Sequence, residues 1–201
     1  MSGRPIGTGG KAKELTKEEV RRIDRCLYGT HYELRNQALF FLGLGSGMRI
    51  SEICGLKLKD IAPHGKAIDQ VVLEKHSTKS KRSRTVHLSK QAVKAVQKYI
   101  DGWKADSKSG QAPLFPSRSK PQQTMAPSSA SFVLKRMFNI AGVENASSHS
   151  LRRTHANMLR RHGADLKIIQ QQLGHSSLTT TERYFDVDPL EIGRAVERLK
   201  F

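Results

Sequence analysis

Residues Ile68-Asp-Gln-Val-Val-Leu73 and Arg84-Thr-Val-His-Leu88 are two short β-branched runs, separated by a polar, basic segment from Lys75 to Ser83. Two such runs around a polar turn predict a β-hairpin. Residues 56–61 are a candidate third strand of the same sheet. The hairpin is an island, because the segments on either side carry a helical period. The fold class expected is therefore α+β, a mainly α-helical chain with a small three-stranded antiparallel sheet.

Upstream of the hairpin, Thr16-Lys-Glu-Glu19 has the spacing of a capping box and opens a helix to about Leu27. A second helix, over about 32–44, carries Ala38, Leu39, Phe40 and Leu42 and is apolar enough to lie in the core. Gly43, Gly45 and Gly47 punctuate its end, and a short helix follows from about Arg49 to Gly55. Downstream, Ser89 can cap a helix whose Ala92, Val93, Val96, Tyr99, Ile100 and Trp103 recur at helical spacing. Residues 105–127 hold four of the seven prolines and read as a loop, with one short strand at Leu114-Phe115. Helical patterns return at about 128–141, 150–161, 165–173 and 188–200. Residues 1–15 are glycine-rich, basic and aperiodic, a flexible arm before a single domain over 16–201.

The 201 residues include 35 Lys and Arg against 18 Asp and Glu, a net charge of +17. Two stretches, 75–100 and 107–143, contain no acid at all, which favours a continuous electropositive surface and a polyanion as partner, nucleic acid first. The longest apolar stretch, 38–44, is far short of the ~20 residues of a membrane span. The N-terminus lacks the apolar core of a signal peptide. Two cysteines, Cys26 and Cys54, make no disulfide framework and suit reduced thiols in the cytoplasm. His149, His155, His162 and His175 lack the paired spacing and acidic companion of a zinc-binding helix, so neither metal nor cofactor is expected.

The chemistry-bearing residues come in order: Gly47-Met-Arg49-Ile-Ser-Glu52, then His149-Ser-Leu-Arg152, then Leu173-Gly-His175, then Tyr184. His149 and Arg152 are three apart on a helical pattern and can share its first turn. Gly174 suits a helix end, leaving His175 at a turn. In this order the residues resemble the catalytic domain of the tyrosine recombinase (phage integrase) family. The resemblance runs from about Thr16 to the C-terminus, and laying the family's strand pattern on Arg84-Thr-Val-His-Leu88 puts its hairpin lysine at Lys79, with Lys81 the alternative. Arg153, His87 and Thr78-Lys-Ser80 depart from the commoner residues at their positions. Most members carry a helical clamp domain where this chain has only residues 1–15, as expected of a minimal single-domain recombinase or of a catalytic fragment.

The resemblance implies site-specific DNA recombination by cleavage, covalent capture and strand exchange through a Holliday junction, on double-stranded DNA, by a homo-oligomer assembling from dimer to tetramer. It implies Arg49, Lys79, His149, Arg152, His175 and Tyr184 as the catalytic set, with Tyr184 the nucleophile. The chemistry agrees with those roles. A phosphodiester under in-line attack needs fixed positive charge at its oxygens. A guanidinium presents a planar fork to two oxygens and stays charged. A tyrosine, titrating near pH 10, needs a proton acceptor, and an imidazole such as His149 can serve. Lys79 can return a proton to the leaving 5′ oxygen. Glu52 suits orienting an arginine. Lys75, Lys81, Arg82, Arg84 and Arg153 are candidate contacts to the DNA backbone. The amphipathic tail, with Leu190, Ile192, Val196 and Leu199, packs on its own domain or, by the resemblance, on a neighbouring subunit. Two other readings fit the same residues: a catalytically silent DNA-binding accessory protein, and a type IB topoisomerase.

Overall fold

From Ala38 to Leu44 the second helix, α2, is apolar on every side, as a helix segment enclosed by its neighbours must be. It spans Glu33–Ser46 and buries Ala38, Leu39, Phe40, Phe41, Leu42 and Leu44. The computed structural model describes residues 12–74, 83–103, 109–182 and 197. Before α2 comes α1, Lys17–Arg25, held at its start by the expected capping box. Thr16 Oγ1 accepts from the Glu19 amide at 3.1 Å, and the Thr16 amide donates to Glu19 Oε2 at 2.9 Å.

After α2 the chain turns at Gly47 into α3, Ile50–Gly55. The segment expected as a third strand forms helix α4 instead, Leu58–Ile61. Among the described residues the sheet has two strands. The reason is local. The Lys57 amide donates to Asp60 Oδ2 at 2.8 Å, which opens a helical turn, and that turn buries Leu58 and Ile61, three residues apart, on one face. Lys57 keeps one isolated antiparallel bridge, to Pro113 in the proline-rich loop. In that loop, too, Leu114 and Phe115 are buried without forming a strand.

The hairpin itself forms as β1, Gln70–Leu73, and β2, Arg84–His87, antiparallel with Val71 opposite Val86. Val71, Leu73 and Val86 face the core. Helix α5, Lys90–Asp101, begins at Ser89, whose side chain accepts from the Ala92 amide. It packs closely along α2, because Gly45 leaves room for Ser89 against its backbone, and the Ser89 amide donates to Gly45 O at 2.9 Å. Then come α6, Pro127–Ile140, α7, Ser148–Arg161, and α8, Leu166–Leu173. A further helix, α9, Leu178–Glu182, stands where the sequence reads as a polar segment. Of the predicted helix over 188–200 only residue 197 is described, and it is helical, while residues 1–11 of the arm over 1–15 and the turn over 75–82 lie outside the described residues. The end of that arm packs on the domain: Leu15 is buried, and its amide donates to Thr154 Oγ1 at 2.8 Å.

This architecture places the ends of α2 and α8, the start of α3 and strand β2 together, with α7 crossing beside them. Cys54 is buried and Cys26 half-buried, both as free thiols, and burial pushes the Cys54 thiol up to about 11. Among the described residues, no helix is long and apolar enough to cross a membrane.

Candidate active site

Glu52, on α3, is 2% exposed and is surrounded by cations. The Arg49 amide donates to its Oε2 at 2.8 Å, and Arg49 Nη1 donates to its Oε1 at 3.0 Å. From β2, Arg84 offers a bidentate fork, Nη1 to Oε1 at 3.0 Å and Nη2 to Oε2 at 2.8 Å. Burial alone would raise the Glu52 pKa. The hydrogen bonds and charges of Arg84 and Arg49 outweigh burial and hold the carboxyl below its ordinary range. Removing one partner of such a buried pair is costly, because it strands the other charge.

Arg152, on α7, is as buried as Glu52, and its fork closes on main-chain oxygens. Nη1 donates to Gly47 O at 2.6 Å and Nη2 to Leu173 O at 2.7 Å. Both carbonyls lie where a helix ends and its last carbonyls lack helical partners. They also carry the negative ends of the α2 and α8 dipoles, which offset the cost of burying a guanidinium. Each helix stops at a left-handed glycine, Gly47 at φ +67° and Gly174 at φ +66°. Gln172 binds the same junction together, donating to Ser46 O at 2.9 Å and to His87 O at 2.7 Å.

Gly47 has a further requirement. A Cβ there would stand 2.7 Å from both His155 Cδ2 and Leu173 Cδ2. Gly47→Ala therefore combines backbone strain with a clash, and it is expected to lower stability by about 1–3 kcal/mol and displace the carbonyl that holds Arg152. Chemical denaturation of the variant measures the loss. An unchanged denaturation midpoint would show that the turn tolerates a side chain.

His175 follows Gly174. Its Nδ1 lies 2.8 Å from Thr181 Oγ1 on α9. Burial first, then the charges of Arg152, Arg49 and Arg84, push its pKa down to about 3, with Glu52 opposing them. His155 is also buried. Its Nδ1 is 2.9 Å from Leu44 O, and because a carbonyl only accepts, Nδ1 carries the hydrogen. Burial is the main reason its pKa falls to about 4. Both imidazoles are neutral at neutral pH.

These shifts set a sign for acid stability. An unfolded histidine titrates near pH 6.5, well above either folded value. Above pH 6.5 the stabilisation is fully present. As pH falls below it, the unfolded chain takes up protons that the folded chain refuses, and stability is lost until the folded pKa is reached. The depressed Glu52 pKa acts in the same direction. The expected loss is about 1.4 kcal/mol per pH unit per histidine over the upper part of that window. Thermal unfolding between pH 7.5 and 4.5 checks it, and a midpoint that holds steady from pH 6.5 to 5 would refute the two buried neutral rings.

The structure thus brings Arg49, Arg152 and His175 to one place, with Glu52 and Arg84 behind them. His149 is exposed, on the first turn of α7. Arg153 donates from Nη1 to Ala12 O at 2.8 Å. Lys75, Lys79, Lys81, Arg82 and Tyr184 lie outside the described residues. His155, Gln172 and Thr181 support the site and were not assigned to it from sequence. A histidine three residues after Arg152 was the available signal for the first, while Gln172 and Thr181 carry no local one. Among the described residues, no group of three or more His, Cys, Asp or Glu could hold a metal ion.

Residues 13–191 match the sequence profile of the phage integrase family. The chain belongs to that family. Among its relatives is tyrosine recombinase XerA of Pyrococcus furiosus, 30% identical over 187 residues, covering 92% of this chain and 61% of the relative. Tyrosine recombinase XerC of Pelobacter propionicus is 35% identical over 157 residues, covering 78% of this chain and 49% of the relative. The chain therefore spans about half to three fifths of the length of these family members. Two solved structures share the fold. The crystal structure of XerA recombinase superposes with a TM-score of 0.76 at 24% identity, covering 99% of this chain and 68% of that one. The Tn1549 transposon integrase in complex with circular intermediate DNA does so at 0.74 and 22%, covering 96% and 69%. The mainly helical architecture with a small antiparallel sheet is thus that of the family.

Proposed function

We propose that residues 16–201 form the catalytic domain of a site-specific DNA recombinase, with 1–15 as a basic arm, working on double-stranded DNA in the cytoplasm. The observation that carries this reading is the charge balance of the site. Among the described residues, three guanidinium groups, Arg49, Arg84 and Arg152, converge with one carboxylate, Glu52, and two neutral imidazoles. Such a site suits an anion, and a phosphodiester under attack gains most from it.

In this reading Tyr184 Oη attacks the scissile phosphorus, the bond to the 5′ oxygen breaks, and a 3′-phosphotyrosyl bond forms. His149 takes the tyrosine proton and Lys79 gives one to the departing 5′ oxygen. Arg49 and Arg152 stabilise the charge that develops on the non-bridging oxygens. A Thr181 hydroxyl donating to His175 Nδ1 sets the tautomer in which Nε2–H points its hydrogen at the phosphate. The phosphotyrosyl bond keeps the energy of the broken diester, so resealing onto another 5′ hydroxyl needs no ATP.

Lys75, Lys81, Arg82 and Arg153 would hold the duplex backbone. Support for a wider DNA face comes from the other end of α2, where a groove of about 1330 Å³ between the α1–α2 connection and α6 sets His31, Arg35, Arg118 and Arg136 beside an apolar floor that includes Leu27, Phe132, Val133 and Ile140. Among the described residues its lining contains no acid. Strand exchange requires several active sites, so we place the chain in a homo-oligomer on DNA, the 188–200 tail docking on a neighbour.

The test is a nicked suicide substrate built from any inverted or direct repeat found flanking the coding sequence. The expected result is an adduct that survives denaturant. DNA that is bound and bent without an adduct would point to the accessory-protein reading, and relaxation of a plasmid lacking any specific site to the topoisomerase one.

A further inference from the structure

Arg84 sits in the acid-free run from 75 to 100 and reads from sequence as a candidate contact to the DNA backbone. Its geometry is the reverse of that. The side chain is 10% exposed, and both Nη atoms are spent on Glu52. Its flat face lies under Gly174, where a Cβ would stand 2.6 Å from Arg84 Cζ and Nε. Its Nε is buried without a hydrogen-bond partner among the described residues. A guanidinium that merely holds the duplex backbone outside the site would keep its fork toward solvent.

We infer that Arg84 is a positioning residue, which holds Glu52 and the Gly174 turn so that Arg49, Arg152 and His175 meet one phosphate. Two linkages carry this. Glu52 binds Arg49 twice, through the amide and through Nη1, so whatever fixes the carboxylate fixes Arg49. The turn over Arg84 carries Gly174 O, 3.4 Å from Arg49 Nη2, stands between Leu173 O, which accepts from Arg152, and His175, and loses its floor if the guanidinium leaves. Arg84 also shares the Glu52 charge. Without it, that charge falls on Arg49 alone and draws it from the substrate. Lysine cannot replace it, since an ammonium supplies neither a planar fork nor a face for the glycine.

The inference rests on the proposed cleavage reaction, and its test keeps the two apart. In the full chain, Arg84→Lys is expected to lower the cleavage rate on saturating suicide substrate by about 10- to 100-fold. In Arg84→Met, which removes the charge, affinity for a random-sequence duplex and its salt dependence should stay unchanged, whereas a lost phosphate contact would reduce the slope of log K against log salt by about 0.9. The Arg49 amide, which donates to Glu52, should exchange its hydrogen at least about tenfold faster in the variant. Because the two residues act as a unit, Arg84→Met combined with Glu52→Gln should lose no more activity than the worse single variant.

A reduced salt slope with cleavage at saturation unchanged would overturn the assignment and return Arg84 to the DNA interface. Unchanged Arg49 exchange, or additive losses, would overturn it too. If the unsubstituted chain forms no adduct, the cleavage reading falls, and Arg49 exchange with the salt slope still decides Arg84.

Discussion

Tyr184→Phe is expected to bind DNA normally and to form no covalent adduct, a loss of at least about 10⁴-fold in cleavage. The substitution removes one oxygen and leaves the ring, so a packing role would survive it. The chain has four tyrosines, and the other three are badly placed. Tyr99 is stacked on Phe115 in the core, with its hydroxyl pushed up to about 12 by burial. Tyr28 and Tyr32 precede α2, whereas Arg49 follows it, and 14 helical residues separate the two ends by about 21 Å. Tyr184 instead follows Thr181 by three residues, a reach of at most about 11 Å, and Thr181 touches His175. Denaturing gels of the suicide-substrate reaction read the adduct directly. A covalent band from the phenylalanine variant would mean that another residue is the nucleophile.

The legible parts of this molecule are those whose signal is local. Thr16 and Glu19 are three residues apart, and the capping box they predict is the one that forms. Val71 and Val86 belong to β-branched runs, and they pair across the hairpin. Gly174 was readable as a helix end because a left-handed cap favours glycine. The expected third strand failed on a close competition. Leu56 and Leu58 alternate like a strand, but Leu58 and Ile61 share a helical face, and Asp60 capping Lys57 decides between them. The pairing of Arg84 with Glu52 is illegible for a different reason. A one-dimensional charge run shows how many cations are near, but not which one turns inward to a carboxylate 32 residues away. Gln172 is the clearest limit, since its partners Ser46 and His87 are brought together only by the fold.

Arg152→Lys should be the most damaging conservative substitution in the described part of the site. The positive charge stays, so simple Coulomb attraction for DNA survives, and affinity for a random duplex is expected to change little. Lost is the fork that joins Gly47 O to Leu173 O and thereby ties the ends of α2 and α8. Hydrogen bonds from charged groups contribute about 1.5–3 kcal/mol each, and lysine can keep one of the two, so a stability loss of about 2–3 kcal/mol is expected. For a chain of this size that lowers the unfolding midpoint by roughly 5–10 °C. The effect on cleavage should be larger, about 10³-fold at saturating substrate, because a planar guanidinium, fixed by the two carbonyls so that its remaining N–H donors can meet the transition state, is replaced by a rotating point charge. Measuring cleavage well below the variant's midpoint separates the two effects. If the midpoint falls as expected while single-turnover cleavage stays within tenfold of the parent, Arg152 ties two helix ends together and does not stabilise the phosphate, and the anion site must be rebuilt around Arg49 and His175 alone.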